Sequence, residues 1–131
     1  MIAVIRIKGM VKVAKDVSNT LDRLRLRRKY ACVVLKETDV IIGMINKVRN
    51  QVAYGKIDDE TLKELISKRG QKIDKTKEIK TLKDLNFEEA NLKPFFRLHP
   101  PRKGIIAKQH FPRGVLGDHK GKINELIRRM L

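Results

Sequence analysis

Tryptophan is absent from this chain of 131 residues, and cysteine occurs once. Cys32 alone closes no disulfide within the chain and offers no paired thiolates for a zinc site, so a reduced cytosolic compartment is the expectation. No apolar run comes near the roughly 20 residues needed to span a bilayer. The opening MIAVIRIKGM has no basic leader before a long apolar region, so neither a secretory signal nor a membrane partner is expected. Aromatic residues reach only 5%, and the strand-like VAYGKI carries one, Tyr54, short of the stacking set of an RRM sheet. Phosphate-loop glycines are missing as well. No GxGxxG occurs, and in LGDHKGKI the glycines are spaced one short and Ile123 stands where a hydroxyl residue belongs. Zinc spacings, helix-turn-helix signatures, heptads, internal repeats and low-complexity linkers are also lacking.

Acidic residues are scarce, and unevenly so. There are 31 Lys+Arg against 15 Asp+Glu, a net charge of +16 with a pI near 10.3. Such a surface repels itself, so its explanation is an anionic partner. No segment opposes an apolar helical face to a uniformly basic one, which disfavours a membrane surface and leaves nucleic acid. Residues 1–56 hold 13 basic and 4 acidic side chains, residues 57–92 hold 8 and 9, and residues 93–131 hold 10 and 2. The positive potential belongs to the two ends, and two separate contact regions are expected.

What is present reads as alternating strands and helices. IAVIRIK (2–8) is an apolar, β-branched strand, and Val17, Leu21 and Leu24 recur at helical spacing, predicting a helix over 14–27. YACVVL (30–35) is a second strand. Thr38 caps a helix with an apolar stripe of Ile41, Ile42, Ile45 and Val48, and VAYGKI (52–57) is a third strand. This β-α-β-α-β series over residues 1–57 suits one small sheet with two helices on one face, an α+β core. Residues 58–131 read as a helical and loop-rich basic extension packed on it. Asp58 caps the next helix, Ile57 and Leu62 form its staple and Gly70 closes it. QKIDKTKEIKTLKD, polar and weakly periodic, is read as a loop or extended excursion. The late prolines, Pro94, Pro100, Pro101 and Pro112, mark extended, turn-rich chain. INELIRRML is a helix with Ile123, Leu126, Ile127 and Met130 on one face.

Two stretches carry the candidate chemistry. RLRLRRK places Arg23, Arg25, Arg27, Arg28 and Lys29 at the end of the first helix. Arg23 with Arg27 and Arg25 with Arg28 are one turn apart, so two short basic ridges are expected beside Leu24. A helix C-terminus favours one or two cations, not four arginines, and planar guanidinium suits phosphate. RLHPPRKGIIAKQHFPRG (97–114) holds five Lys/Arg, two histidines, three prolines and no acid. Its cations are Arg97, Arg102, Lys103, Lys108 and Arg113. Gly104 allows close backbone approach, Pro100 and Pro101 stiffen it, and Phe95, Phe96 and Phe111 are read as core anchors. His99, His110 and His119 lack the orienting partners and ligand sets of acid–base or metal sites, so no cofactor and no enzyme is expected.

Taken in order, IRIKG, LRLRRKYACVVL, GMINKVRNQVAYGKID, LISKRG, FRLHPPRKG and INELIRRML resemble the large-subunit ribosomal protein L-thirty family in its archaeal form. The C-terminal extension, without a long basic N-terminal arm, matches that form. The resemblance implies a ferredoxin-like antiparallel sheet with two helices and a structural place in the cytoplasmic ribosome. It also implies contact with large-subunit rRNA, proximity to 5S RNA, and neighbouring ribosomal proteins. Carried onto this chain, the RNA-facing positions are Arg25, Arg27, Arg28 and Lys29, then Lys47, Arg49, Tyr54 and Gly55, then His99, Arg102, Lys103 and Gly104. Two other readings remain at this point. A chromatin-type coating protein would share the electrostatics, because phosphate contacts carry no sequence information. A histidine-dependent nuclease would need His99 and His110.

Overall fold

The computed structural model describes residues 2–8, 14–70, 72, 76, 95–99 and 116–130. The first half alternates as expected: β1 (Ile2–Arg6), α1 (Lys15–Arg23), β2 (Ala31–Leu35), α2 (Asp39–Lys47) and β3 (Val52–Lys56). Then come α3 (Asp59–Arg69), the two-residue strands β4 (Phe96–Arg97) and β5 (Gly117–Asp118), a short 3-10 turn (Lys120–Lys122) and α4 (Ile123–Met130). QKIDKTKEIKTLKD and the Pro-rich stretch from Pro100 to Gly114 lie outside or almost wholly outside the described residues.

The strands join into one sheet in the order β4-β2-β1-β3-β5. β1 runs antiparallel to both β2 and β3, with Val4 opposite Val33 on one side and Tyr54 on the other. This antiparallel trio is the α+β, ferredoxin-like core. β4 extends it antiparallel along β2, while β5 lies parallel to β3, so the full sheet is mixed. Gly117 enters β5 with φ 85, a conformation in which a side chain would be strained.

Because side chains alternate across a strand, β1 sends its residues to two different cores. Ile2 and Val4 meet Leu21, Leu24 and Leu26, Val33, Ile45, Val48 and Val52 on what we call the front face, under α1 and α2. Ala3 and Ile5, with Ile7 beyond the strand, join Cys32, Val34, Ala53, Leu62, Leu65 and Phe96 on the back, under α3 and α4. Burial on both faces explains why β1 is a continuous apolar run up to Arg6. Buried on the back face, the Cys32 thiol has its pKa pushed up to about 12.

The caps explain where the helices start. Thr38 Oγ1 accepts from the Ile41 N–H (3.3 Å), and an Asp58 carboxylate oxygen accepts from the Thr61 N–H (2.8 Å). The α2 stripe is Ile41, Met44, Ile45 and Val48; Ile42 falls off it and is 41% exposed, because position 41 already opens the i, i+3, i+4, i+7 series. Gly70 ends α3 as expected but at φ −61, so no left-handed cap is used there. All four apolar residues expected on α4 are buried. Asn124 ties α4 to the cap of α3: its side chain donates to the Lys56 and Gly121 carbonyls and accepts from the Asp58 N–H.

Candidate nucleic-acid interface

The basic cluster is set by how α1 stops. The predicted helix over 14–27 ends at Arg23, and the two basic ridges expected along it do not form. Leu24 is the C-cap, the Arg25 N–H bonds to the Asp22 carbonyl (3.0 Å) and the Leu26 N–H to the Leu21 carbonyl (2.9 Å). That pair of bonds is a Schellman motif, closed by the apolar contact of Leu26 with Leu21 in the front core. The position past the cap normally belongs to glycine. Here it is Arg25, at φ 65, which costs about 1–2 kcal/mol of backbone strain. Tyr30 is likewise left-handed at φ 66. Leu24 and Leu26 are buried while Arg23, Arg25, Arg27, Arg28 and Lys29 stay exposed, so the turn anchors inward and charges outward.

A buried arginine braces this turn from beneath. Arg6 lies in β1 on the front face; its guanidinium donates to the Leu26 carbonyl (2.7 Å) and the Lys8 carbonyl (3.1 Å). Its own carbonyl accepts from the Tyr30 N–H (2.6 Å). Burial lowers the Arg6 pKa, with Asp22 opposing, yet a guanidinium stays charged at neutral pH. Charged hydrogen bonds to buried carbonyls contribute more than neutral ones, so the turn is held rigidly. Lys29 Nζ lies 5.1 Å from the Tyr30 ring centre, a cation–π contact within the same turn.

β4 then brings in the other basic end of the chain. Arg97 pairs with Ala31 and Phe96 with Cys32, and the Leu98 N–H donates to the Tyr30 carbonyl. Alternation puts Phe96 in the back core and leaves Arg97 on the front side, beside the turn. The Arg97 guanidinium lies 5.7 Å from the Phe95 ring centre. Together these residues enclose an open recess of about 520 Å³, lined by Asp22, Arg23, Arg25, Arg27, Arg28, Ala31, Phe95 and Arg97. The expectation of two separate contact regions is therefore corrected in part. At this edge of the sheet, residues from both basic ends converge on one recess. Of the expected aromatic anchors, Phe96 is fully buried, Phe95 is half-buried, packing against the front core while also lining the recess, and Phe111 lies outside the described residues.

Comparison with known proteins bears directly on such a basic α+β chain. Residues 2–52 match the sequence model of the family described as Ribosomal protein L30p/L7e. Archaeal proteins described as "Large ribosomal subunit protein uL30" align over almost the whole length. The one from Archaeoglobus fulgidus is 41% identical over 99% of both chains. Those from Methanococcus vannielii and Pyrobaculum islandicum are 38% and 40% identical, covering 98% of this chain and 98% and 93% of theirs. The chain belongs to the Ribosomal protein L30p/L7e family. The names of these relatives are those of ribosomal proteins, not of enzymes. The family model ends at the start of β3, whereas the alignments with the archaeal relatives continue over almost the whole chain.

The remaining expected positions are distributed as follows. Tyr54, in β3, is half-buried on the front side near Arg49. Burial raises its pKa, Asp118 raises it further and Arg49 lowers it. Since β4 and β3 are three strand steps apart, Arg97 and Tyr54 are separated by roughly 14 Å across the sheet. Lys47 is exposed and forms a loose ion pair with Asp16 at 3.9 Å. Gly55 is buried within β3 opposite Ala3, so it presents no surface for a phosphate to approach. The His99 N–H donates to the Met130 carbonyl, and the buried His119 donates its N–H to the Tyr54 carbonyl. Arg102, Lys103, Gly104, Lys108, His110 and Arg113 lie outside the described residues. Among the described residues no three His, Cys, Asp or Glu gather into a metal-binding group, and no helix is long and apolar enough to cross a membrane.

The sequence pattern does not single out Arg6 or Asp22, and it assigns Phe95 to the core instead of to the recess. A lone arginine closing an apolar strand was the available signal for Arg6. Nothing local marks the other two, because a pairing between β2 and β4 creates their neighbourhood.

Proposed function

We propose that this chain is a structural constituent of the large ribosomal subunit in the cytoplasm, where it binds and stabilises folded large-subunit rRNA close to 5S RNA. The observation that carries the reading is the recess, where four arginines of the braced turn and Arg97 of β4 surround a single carboxylate. Guanidinium groups match phosphate oxygens in pairs, and a fixed scaffold sets their register on a folded RNA. Family membership supports the ribosomal setting. The RNA-facing set comprises Arg23, Arg25, Arg27, Arg28, Lys29 and Arg97 around the recess, with Lys47, Arg49 and Tyr54 as a second contact across the sheet. His99, Arg102, Lys103, Gly104, Lys108 and Arg113 extend the contact from the Pro-rich stretch. Buried Gly55 is not part of it. In this reading residues 1–57 are the RNA-binding core and residues 58–131 the extension that packs on it.

Binding to a large-subunit rRNA fragment is the test. If about six phosphates are neutralised, log K falls with log salt at a slope near −4 to −5. A slope near zero, or equal affinity for random duplex DNA, would replace this reading with a different one, the latter being that of a coating protein.

A further inference from the structure

The shape of the basic site points beyond general phosphate contact. A protein that tracks a duplex needs a convex or grooved surface, because the wide minor groove of A-form RNA is shallow and its phosphates form continuous ridges. Here the cations surround a concavity. Its volume of about 520 Å³ falls within the roughly 300–1,000 Å³ of pockets that enclose small ligands. It is also not uniformly polar. Phe95 forms part of the wall, with the Arg97 guanidinium against its ring, so one side offers planar surface and the other offers charge. A strained Arg25 keeps a cation where glycine would be easier, and backbone strain retained in this way marks a site.

We propose that the recess receives one unpaired nucleotide splayed out of its strand. Its phosphate lies among the arginines of the turn, and its base stacks on the Phe95–Arg97 wall. Unstacked bases in loops and bulges are what single-stranded recognition uses, with aromatic rings and guanidinium planes as platforms. Asp22 is the one acid in the lining, and it limits how many phosphates the site draws in. This inference rests on the RNA-binding reading and names what that site holds.

The unsubstituted full chain, isotope-labelled for NMR, is titrated with adenosine monophosphate and separately with ribose 5-phosphate. The nucleotide shifts the Phe95 ring and Arg97 side-chain signals and binds about tenfold more tightly than the sugar phosphate, the difference being the stacked base. Equal affinity, or shifts confined to other regions, overturns the proposal. With an rRNA fragment, Phe95→Leu lowers affinity about tenfold and leaves the salt slope unchanged, because no charge is removed. Phe95→Tyr keeps the affinity, which separates loss of the ring from loss of the fold. An unchanged affinity in Phe95→Leu also overturns it. The two readings fail differently. A flat salt slope removes rRNA binding itself, whereas a normal slope with equal binding of the two small probes removes only the nucleotide pocket.

Discussion

The two faces of the sheet are closed by the same means and finished by opposite ones. On the back, α3 and α4 obey local rules: Asp58 caps with its carboxylate, acids fill the first turn of α3, and Asn124 satisfies the backbone groups where the two helices meet. The Arg128–Glu64 pair between them (3.5 Å) is half exposed and contributes under about 1 kcal/mol. On the front, α1 ends in a turn with two non-glycine residues at positive φ and five cations in seven positions. Sequences that fold well agree with themselves at every level, and departures collect where function is imposed. Among the described residues the back face follows local packing rules, whereas the front face gives up backbone ease and charge balance to present arginines.

Substitutions can break that contrast. The largest effect belongs to the back. Phe96→Ala empties a fully buried position and lowers stability by about 4 kcal/mol, read from urea denaturation. A front-side change should do the reverse. Replacing exposed Arg27 and Arg28 together by Gln leaves stability within about 0.5 kcal/mol but reduces the salt slope for rRNA by about 2 and weakens binding at least tenfold. If instead the melting point collapses, these arginines serve the fold.

Arg25→Gly sharpens the comparison at one residue. Relief of left-handed strain, less the entropy cost of glycine, raises stability by about 0.5 kcal/mol, while rRNA affinity drops. A loss of stability would show that the arginine side chain holds the turn. The smallest effect is on the back-face cap. Contact with Thr61, whose N–H donates to it, holds the Asp58 carboxyl below its ordinary value of 3.8, with Arg128 adding to the effect. A pKa lowered by folding gives stability that is complete above the unfolded value and is lost as pH falls through the folded one. Asp58→Asn should therefore flatten the acid limb of a melting-point series below about pH 4, with little change in its shape at neutral pH.

These contrasts also mark what could be read from the chain alone. Thr38, Asp58, the three principal strands and the apolar face of α4 follow from caps and periodicity, which are local. Helical spacing places the end of α1 too late, because Val17, Leu21 and Leu24 keep that spacing to its last turn and Leu26 looks like a continuation. A Schellman turn without glycine leaves no local trace. Ile42 reads as part of the α2 stripe because any isoleucine looks buried until the helix is phased. The recess was invisible for a different reason. Its wall depends on a two-residue strand placed more than 60 positions after the turn it joins, and pairing of that length and distance has no periodic signature. The charge map found the participants but not their meeting.

Because β1 is covered on both sides, the order of synthesis has a consequence. The chain makes its central strand first and the last helix over its back surface more than 100 residues later. A nascent chain that has already formed the front layer and α3 still leaves the back core of Ala3, Ile5, Cys32, Val34 and Ala53 incomplete until Ile123–Met130 leaves the tunnel. Transient greasy surface of this kind invites aggregation. Slow synthesis of the last third of the chain therefore lengthens the time for which this surface is incompletely covered.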